Sequence, residues 1–187
     1  MKRIAIFASG NGTNAKNICK YFENSTQISI SLICTNNSKA NVLKKLSCYN
    51  LKHLIFTKRD MNNLSLIEDT LEELSIDLII LAGFLLKIPT KIINKYNNKI
   101  INVHPSLLPK YGGKGMYGSN VHKAVLLNQE TKTGVTFHFV SEEYDKGQII
   151  LQKSFLIKQD DSVKSLQKKV QSLEHKYFPL VIKKVLF

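Results

Sequence analysis

Arginine is nearly missing from this chain: Arg3 and Arg59 are its two copies, although Lys and Arg together number 27 in 187 residues and the formal net charge is +13. Arginine is the usual bidentate reader of guanine and phosphate. A basic balance made of scattered lysines reads instead as solvated faces whose positive field draws in small anions, and no nucleic-acid partner is expected. Long apolar runs are also missing, so no membrane partner is expected. The basic start Met1-Lys2-Arg3 leads into five apolar residues, Ile4–Ala8, before Ser9 and Gly10. That is a first strand, not a signal peptide. Cysteine is scarce: Cys19, Cys34 and Cys48 are odd in number and lack metal-ligand spacing, which predicts buried thiols in a reducing cytoplasm. The five histidines show neither H-E-x-x-H nor paired-ligand spacing, so no metal is expected. No internal repeat, low-complexity tract or linker interrupts the chain. With 43% hydrophobic residues, one domain over 1–187 is expected, in two halves of about 1–100 and 101–187.

Hydrophobic patterning alternates between strand and helix. Strands are predicted over Arg3–Ala8, Gln27–Cys34 and Lys52–Phe56, with helices over about Thr13–Phe22, Ala40–Cys48 and Leu64–Leu74. Asp77–Ala82 and Lys99–Val103 are continuous apolar runs of the kind buried on both faces of a sheet. Such alternation implies an α/β fold with a mostly parallel, Rossmann-like sheet and right-handed crossovers. Lys110–Ser119 holds Gly112, Gly113, Gly115 and Gly118 and is predicted as a mobile loop. A short helix over Asn120–Leu127 follows, which His122 is expected to start or cap. Thr133–Val140 and Gln148–Leu156 alternate like an antiparallel pair. A closing amphipathic helix spans about Val163–Val185 and contains Pro179, where a bend is expected.

Three places carry candidate chemistry. Gly10-Asn11-Gly12-Thr13-Asn14-Ala15 matches G-x-G-x-x-A between strand and helix. A dinucleotide site also wants an acid at the end of the second strand, yet no Asp or Glu occurs between Glu23 and Asp60. NAD is therefore disfavoured. A phosphate held by backbone N–H groups at the helix start, with Thr13 and Asn14 beside it, remains open against a plain tight turn. Second, Asn102 and His104 are two apart on a strand and so share a face; Pro105 keeps His104 extended and stops the strand. Third, the acid Asp145 lies in the turn Tyr144-Asp145-Lys146-Gly147. An amide, an imidazole and a carboxylate together suit acyl transfer, in which an oxyanion is stabilised and a proton moved.

The string Asn102-Val103-His104-Pro105-Ser106-Leu107-Leu108-Pro109-Lys110-Tyr111, with Asp145 about forty residues later, resembles the folate-dependent formyltransferases. The resemblance extends from Ser9–Asn14 through Leu81-Ala82-Gly83-Phe84 to Gln171–His175. It is strongest to the branch that formylates a glycinamide ribonucleotide. It implies transfer of a formyl group from 10-formyltetrahydrofolate, a co-substrate, to the amine of 5-phosphoribosylglycinamide in purine synthesis. Asn102, His104 and Asp145 are then catalytic. Gly12, Thr13, Asn14 and Glu174 hold the ribonucleotide. Arg59 and the segment Leu85, Leu86, Lys87 and Ile88 contact folate together with Asn102, the segment through its backbone. Some family members carry arginine where Leu86 stands here. His138 is expected to be structural, or to back the site. Within the family, a methionyl-tRNA formyltransferase is expected to carry an added C-terminal domain and a formyltetrahydrofolate deformylase an added N-terminal one. The alternatives are that deformylase, another folate-dependent N-formyltransferase, or a basic Rossmann-like nucleic-acid-binding protein. A cytoplasmic monomer or weak homodimer is expected.

Overall fold

The computed structural model describes residues 1–61 and 64–187. Its strands are β1 (Lys2–Phe7), β2 (Ile28–Thr35), β3 (Lys52–Ile55), β4 (Leu78–Leu81), β5 (Ile100–His104), β6 (Lys132–Phe139) and β7 (Ile149–Leu156). Its helices are α1 (Thr13–Phe22), α2 (Asn41–Lys45), α3 (Ser65–Glu73), α4 (Thr90–Lys95), α5 (Ser119–Leu127) and α6 (Val163–Leu186). The strands follow the order β3-β2-β1-β4-β5-β6-β7 in one sheet. β1 pairs in parallel with β2 and β4, and β2 with β3, whereas β6 and β7 are antiparallel. The mostly parallel sheet with a C-terminal antiparallel pair and a closing helix is thus the one the residue pattern predicts.

The chain divides into two compact units, Met1–Ile101 with Val185–Phe187, and Asn102–Lys184. In the first, Ile4–Phe7 of β1 and Leu78–Leu81 of β4 are buried along their length. Continuous burial is what a central parallel strand needs when helices cover both faces. Truncating a fully buried residue such as Ile80 to Ala should cost about 2–5 kcal/mol. α1 meets the core through Ala15, Ile18, Cys19 and Phe22, the i, i+3, i+4, i+7 stripe of an amphipathic helix. Phe84, just past β4, stacks edge-on against Phe7 with centroids 5.4 Å apart and lies 6.0 Å from Phe56.

In the second unit β6 departs from simple alternation. Thr133 to His138 are all buried, whereas its partner β7 is exposed or half-buried throughout. Thr136 and His138 are satisfied by hydrogen bonds and so tolerate burial. Val121, Val125 and Leu166 form a small core between α5 and α6, with Tyr111, Met116, Leu126, Phe155 and Ile157 packed on it. α6 runs on through Pro179.

Three local expectations are corrected. α2 ends at Lys45, and turns replace the rest of the helix expected to Cys48. Cys48, in those turns, is exposed, while Cys19 and Cys34 are buried; all three are free. His122 neither starts nor caps α5: Gly118 is the cap, and His122 lies buried in the helix. No helix among the described residues is long and apolar enough to cross a membrane.

Candidate active site

β5 delivers Asn102 and His104, and Pro105 ends it there. His104 is 3% exposed. Asp145 sits in the turn after β6 with a left-handed φ of 57°, a conformation that Asp tolerates better than most L-residues. The turn brings its carboxylate back to β5: Oδ1 accepts from Asn102 Nδ2 at 3.3 Å, and Oδ2 lies 3.5 Å from His104 Nδ1. The three residues expected to act together are therefore in one cluster, within the second unit.

His138 joins them. Its Nδ1 is 2.8 Å from the Phe139 carbonyl and must donate to it, which turns Nε2 toward Asn102 Nδ2 at 3.2 Å and Asp145 Oδ1 at 3.6 Å. The Asn102 amide thus directs its two N–H groups at His138 and Asp145. The Gly113 N–H donates to Asp145 Oδ2 at 2.9 Å, and the Tyr111 carbonyl lies 2.7 Å from His104 Nε2. Because a carbonyl only accepts, Nε2 carries the proton.

Burial pushes the Asp145 carboxyl up, but His138, His104 and the Gly113 N–H outweigh it and hold it below the ordinary carboxylate value. For His104 the balance goes the other way. Burial lowers its pKa below 6.5, and the opposing Asp145 and Tyr111 carbonyl do not restore it. Near neutral pH the ring is therefore mainly neutral, because desolvation exceeds the attraction of one carboxylate at 3.5 Å.

The segment after His104 is braced from β6 and β7. Thr136 Oγ1 donates to the Ser106 carbonyl at 2.6 Å and accepts from Leu108 N at 3.1 Å. Gln152 Nε2 reaches the Leu108 carbonyl and Thr136 Oγ1, both at 2.9 Å. Nothing in the local pattern singles out Thr136, Gln152, Tyr111 or Gly113, since each meets its partner only through the fold.

The other expected site residues lie as follows. Gly12 is the N-cap of α1, with φ 67°, and having no side chain it supplies no side-chain cap. A Cβ at Gly12 would come within 2.6 Å of Val42, so the turn requires glycine on two counts. In the same unit, Leu85 is exposed, Leu86 half-buried, Lys87 exposed and Ile88 buried. The Leu85 N–H is already taken by Ser9 Oγ at 3.0 Å, and Ser9 Oγ in turn donates to Asn36 Oδ1 at 2.6 Å. Ser9 therefore ties the loop after β1 to the loop after β4. Arg59 is exposed in a turn that Asp60 closes onto Thr57. Glu174 belongs to the second unit, half-buried on α6. Among the described residues, no group of three His, Cys, Asp or Glu could hold a metal ion.

A family model described as Formyl transferase matches residues 2–182. The chain belongs to the formyl transferase family. The phosphoribosylglycinamide formyltransferase of Bacillus subtilis (strain 168) is 33% identical over 191 residues, which cover 100% of this chain and 95% of that protein. A chloroplastic phosphoribosylglycinamide formyltransferase of Arabidopsis thaliana is 35% identical over 189 residues, 97% of this chain and 64% of that one. The chain thus spans less than two thirds of that plant relative's length. The crystal structure of glycinamide ribonucleotide transformylase 1 from Geobacillus kaustophilus superposes with a TM-score of 0.90 at 30% identity, with both chains covered in full (100%). Family membership supplies a setting for a cluster whose polar groups converge on one strand end.

Proposed function

We propose that this protein transfers a formyl group from 10-formyltetrahydrofolate to the amine of 5-phosphoribosylglycinamide. The observation that carries it is the convergence of Asn102, His104 and Asp145 in a formyl transferase chain that aligns over 100% of its length with the phosphoribosylglycinamide formyltransferase of Bacillus subtilis. The amine attacks the formyl carbon and the carbonyl oxygen becomes an oxyanion. Asn102 donates to that oxygen in exchange for one of its two long contacts, at 3.2 and 3.3 Å. His104 becomes cationic by holding, in transit, the proton that the attacking amine releases as the oxyanion grows, since new negative charge nearby offsets the desolvation that keeps the ring neutral. Asp145, ionised and facing Nδ1, stabilises that cation. Directly or through water, it also handles the proton that passes from the attacking amine to the departing folate nitrogen. Holding both substrates together supplies much of the remaining acceleration.

The start of α1 at Gly12, Thr13 and Asn14 takes the ribonucleotide phosphate on its backbone N–H groups, and Glu174 takes the glycinamide end. The segment Leu85–Ile88 takes the pterin edge through the main chain, with Arg59 as a candidate partner for the folate carboxylates.

Purified protein, glycinamide ribonucleotide and a formyl-folate analogue, followed by absorbance as deformylated folate is released, test the assignment. Release that depends on the ribonucleotide supports it. Equal release without any acceptor would mean that water is the acceptor and the protein a deformylase. Salt-sensitive binding to any DNA or RNA with no formyl transfer would overturn it in favour of a nucleic-acid-binding role.

A further inference from the structure

The loop after β5 returns to both ionisable partners of the site. Tyr111 gives its carbonyl to His104 Nε2 at 2.7 Å, and two residues on Gly113 gives its N–H to Asp145 Oδ2 at 2.9 Å. Between them Gly112 lies so close that a Cβ there would meet Leu108 Cδ2 at 2.6 Å and Asp145 Cβ at 3.1 Å. Tyr111 itself has a left-handed φ of 58°, which an L side chain adopts only where its surroundings hold it.

Those surroundings are visible. The ring packs on the core of Val121, Val125 and Leu166. Its hydroxyl donates to Glu130 Oε1 at 2.8 Å, and Lys110 Nζ donates to the same oxygen at 2.8 Å. Lys110 and Tyr111 hold the Glu130 carboxyl below its usual value, so it stays an ionised acceptor. A strained backbone with an anchored side chain therefore aims one carbonyl at one imidazole.

We propose that Tyr111 is a positioning residue for His104: its carbonyl fixes the ring with Nε2–H inward and leaves Nδ1, beside Asp145, as the nitrogen that works on substrate, while Glu130 anchors Tyr111. The assignment rests on His104 acting as proposed above. The opposite tautomer would set two lone pairs against each other at 2.7 Å, so the carbonyl selects the ring state. The 3.5 Å from Nδ1 to Asp145 Oδ2 is too long for a strong hydrogen bond. Nδ1 is thus left able to serve a third atom with the carboxylate at its side. The other titratable neighbours of His104 are His138 on β6 and His122 on α5.

The test uses Tyr111→Ala, Tyr111→Phe, Glu130→Ala and the double variant Tyr111→Phe/Glu130→Ala, each checked for cooperative melting. Two quantities are measured: steady-state formyl transfer across pH, and the titration of the His104 ring by NMR, which needs no turnover. For Tyr111→Ala, kcat falls about tenfold or more while both KM values stay within about twofold, the pattern of a lost transition-state interaction. The His104 titration moves to lower pH, because an acceptor that favours the protonated ring is displaced. Tyr111→Phe and Glu130→Ala show smaller changes in the same direction, and the double variant is no worse than the worse single one. A folded Tyr111→Ala protein with unchanged kcat and an unchanged His104 titration overturns the assignment. So does a lower melting temperature alone, with both readouts unmoved. If the wild-type protein transfers no formyl group, the proposed function fails, yet the NMR titration still decides whether Tyr111 sets the state of His104.

Discussion

Asp145 Oδ2 lies 3.5 Å from His104 Nδ1, and the carboxyl is held low as a charged pairing would hold it, yet burial holds the imidazole low against that same pairing. The pair is one negative charge beside a buried ring that has a vacancy for one proton. In the proposed reaction such a pair would accept positive charge when an oxyanion forms, and the charge of Asp145 is what a substitution can test.

Asp145→Asn preserves size and one hydrogen bond and removes the charge. Turnover should drop on the order of a hundredfold or more, with KM values little changed and a fold that still melts cooperatively. Near-wild-type turnover in the folded variant would take Asp145 out of the mechanism.

The start of α1 should read phosphate and not dinucleotide. Inorganic phosphate or ribose 5-phosphate should compete with the ribonucleotide in steady-state assays, and NAD should not. Thr13→Ala should chiefly raise the acceptor KM, since the phosphate is remote from the reacting atoms. Gly12→Ala should do the same and also destabilise the fold by about 1–3 kcal/mol, because a Cβ there overlaps Val42 at 2.6 Å on a left-handed backbone. Tight NAD binding in calorimetry, unaffected by phosphate esters, would reverse the assignment.

Leu85–Ile88, proposed to meet the folate, should do so through main chain more than side chain. Leu86→Arg should alter the donor KM only modestly. Leu86→Pro should raise it on the order of tenfold, as one lost hydrogen bond and a constrained neighbour would. Ser9→Ala probes the same place from the other side, since Ser9 Oγ holds the Leu85 N–H, and should also raise the donor KM. The check is steady-state kinetics with the formyl donor varied. Normal donor KM in a folded proline variant would move the pocket away from Leu85–Ile88.

Stability should fall as pH drops from 7 to 5. Burial lowers the pKa values of His104, His122 and His175 from 6.5, so the unfolded chain binds protons first. Their neutral forms favour folding fully above that value, and the advantage is lost as pH falls through it. A second loss should begin below about pH 4, where Asp77, Asp145 and Asp161, all lowered in the fold, begin to take up protons in the unfolded chain. His122→Gln should flatten the upper part of this curve, because His122 Nδ1 is buried without a hydrogen-bond partner. A melting temperature that is constant or rises between pH 7 and 5 would contradict it.

Asn102 and His104 were legible because strand periodicity is local: two residues on, the side chain returns to the same face. The buried runs of β4 and β5 were legible for the same reason. Asp145 was visible as a turn acid of suitable chemistry, but its meeting with β5 was not, since no spacing rule ties a turn acid to a strand forty residues earlier. The end of α2 and the exposure of Cys48 went astray because Lys44 to Cys48 carries no strong stop signal, and helix ends are decided by packing. His122 was misplaced because Gly118 caps α5 without any side-chain oxygen.

What the amino-acid sequence by itself determined is the alternating α/β order, the glycine turn before α1, and the amide and imidazole side by side at the end of β5. All of these follow from short-range periodicity and backbone sterics. What only the tertiary structure decided is the state of the site. His138 joins Asn102 across 36 residues, Gly113 meets Asp145 across 32, and Tyr111 turns its carbonyl onto His104. Burial, which no single residue encodes, sets the imidazole neutral against its own carboxylate. Contacts between distant segments and the loss of water are properties of the folded packing, and protonation follows them.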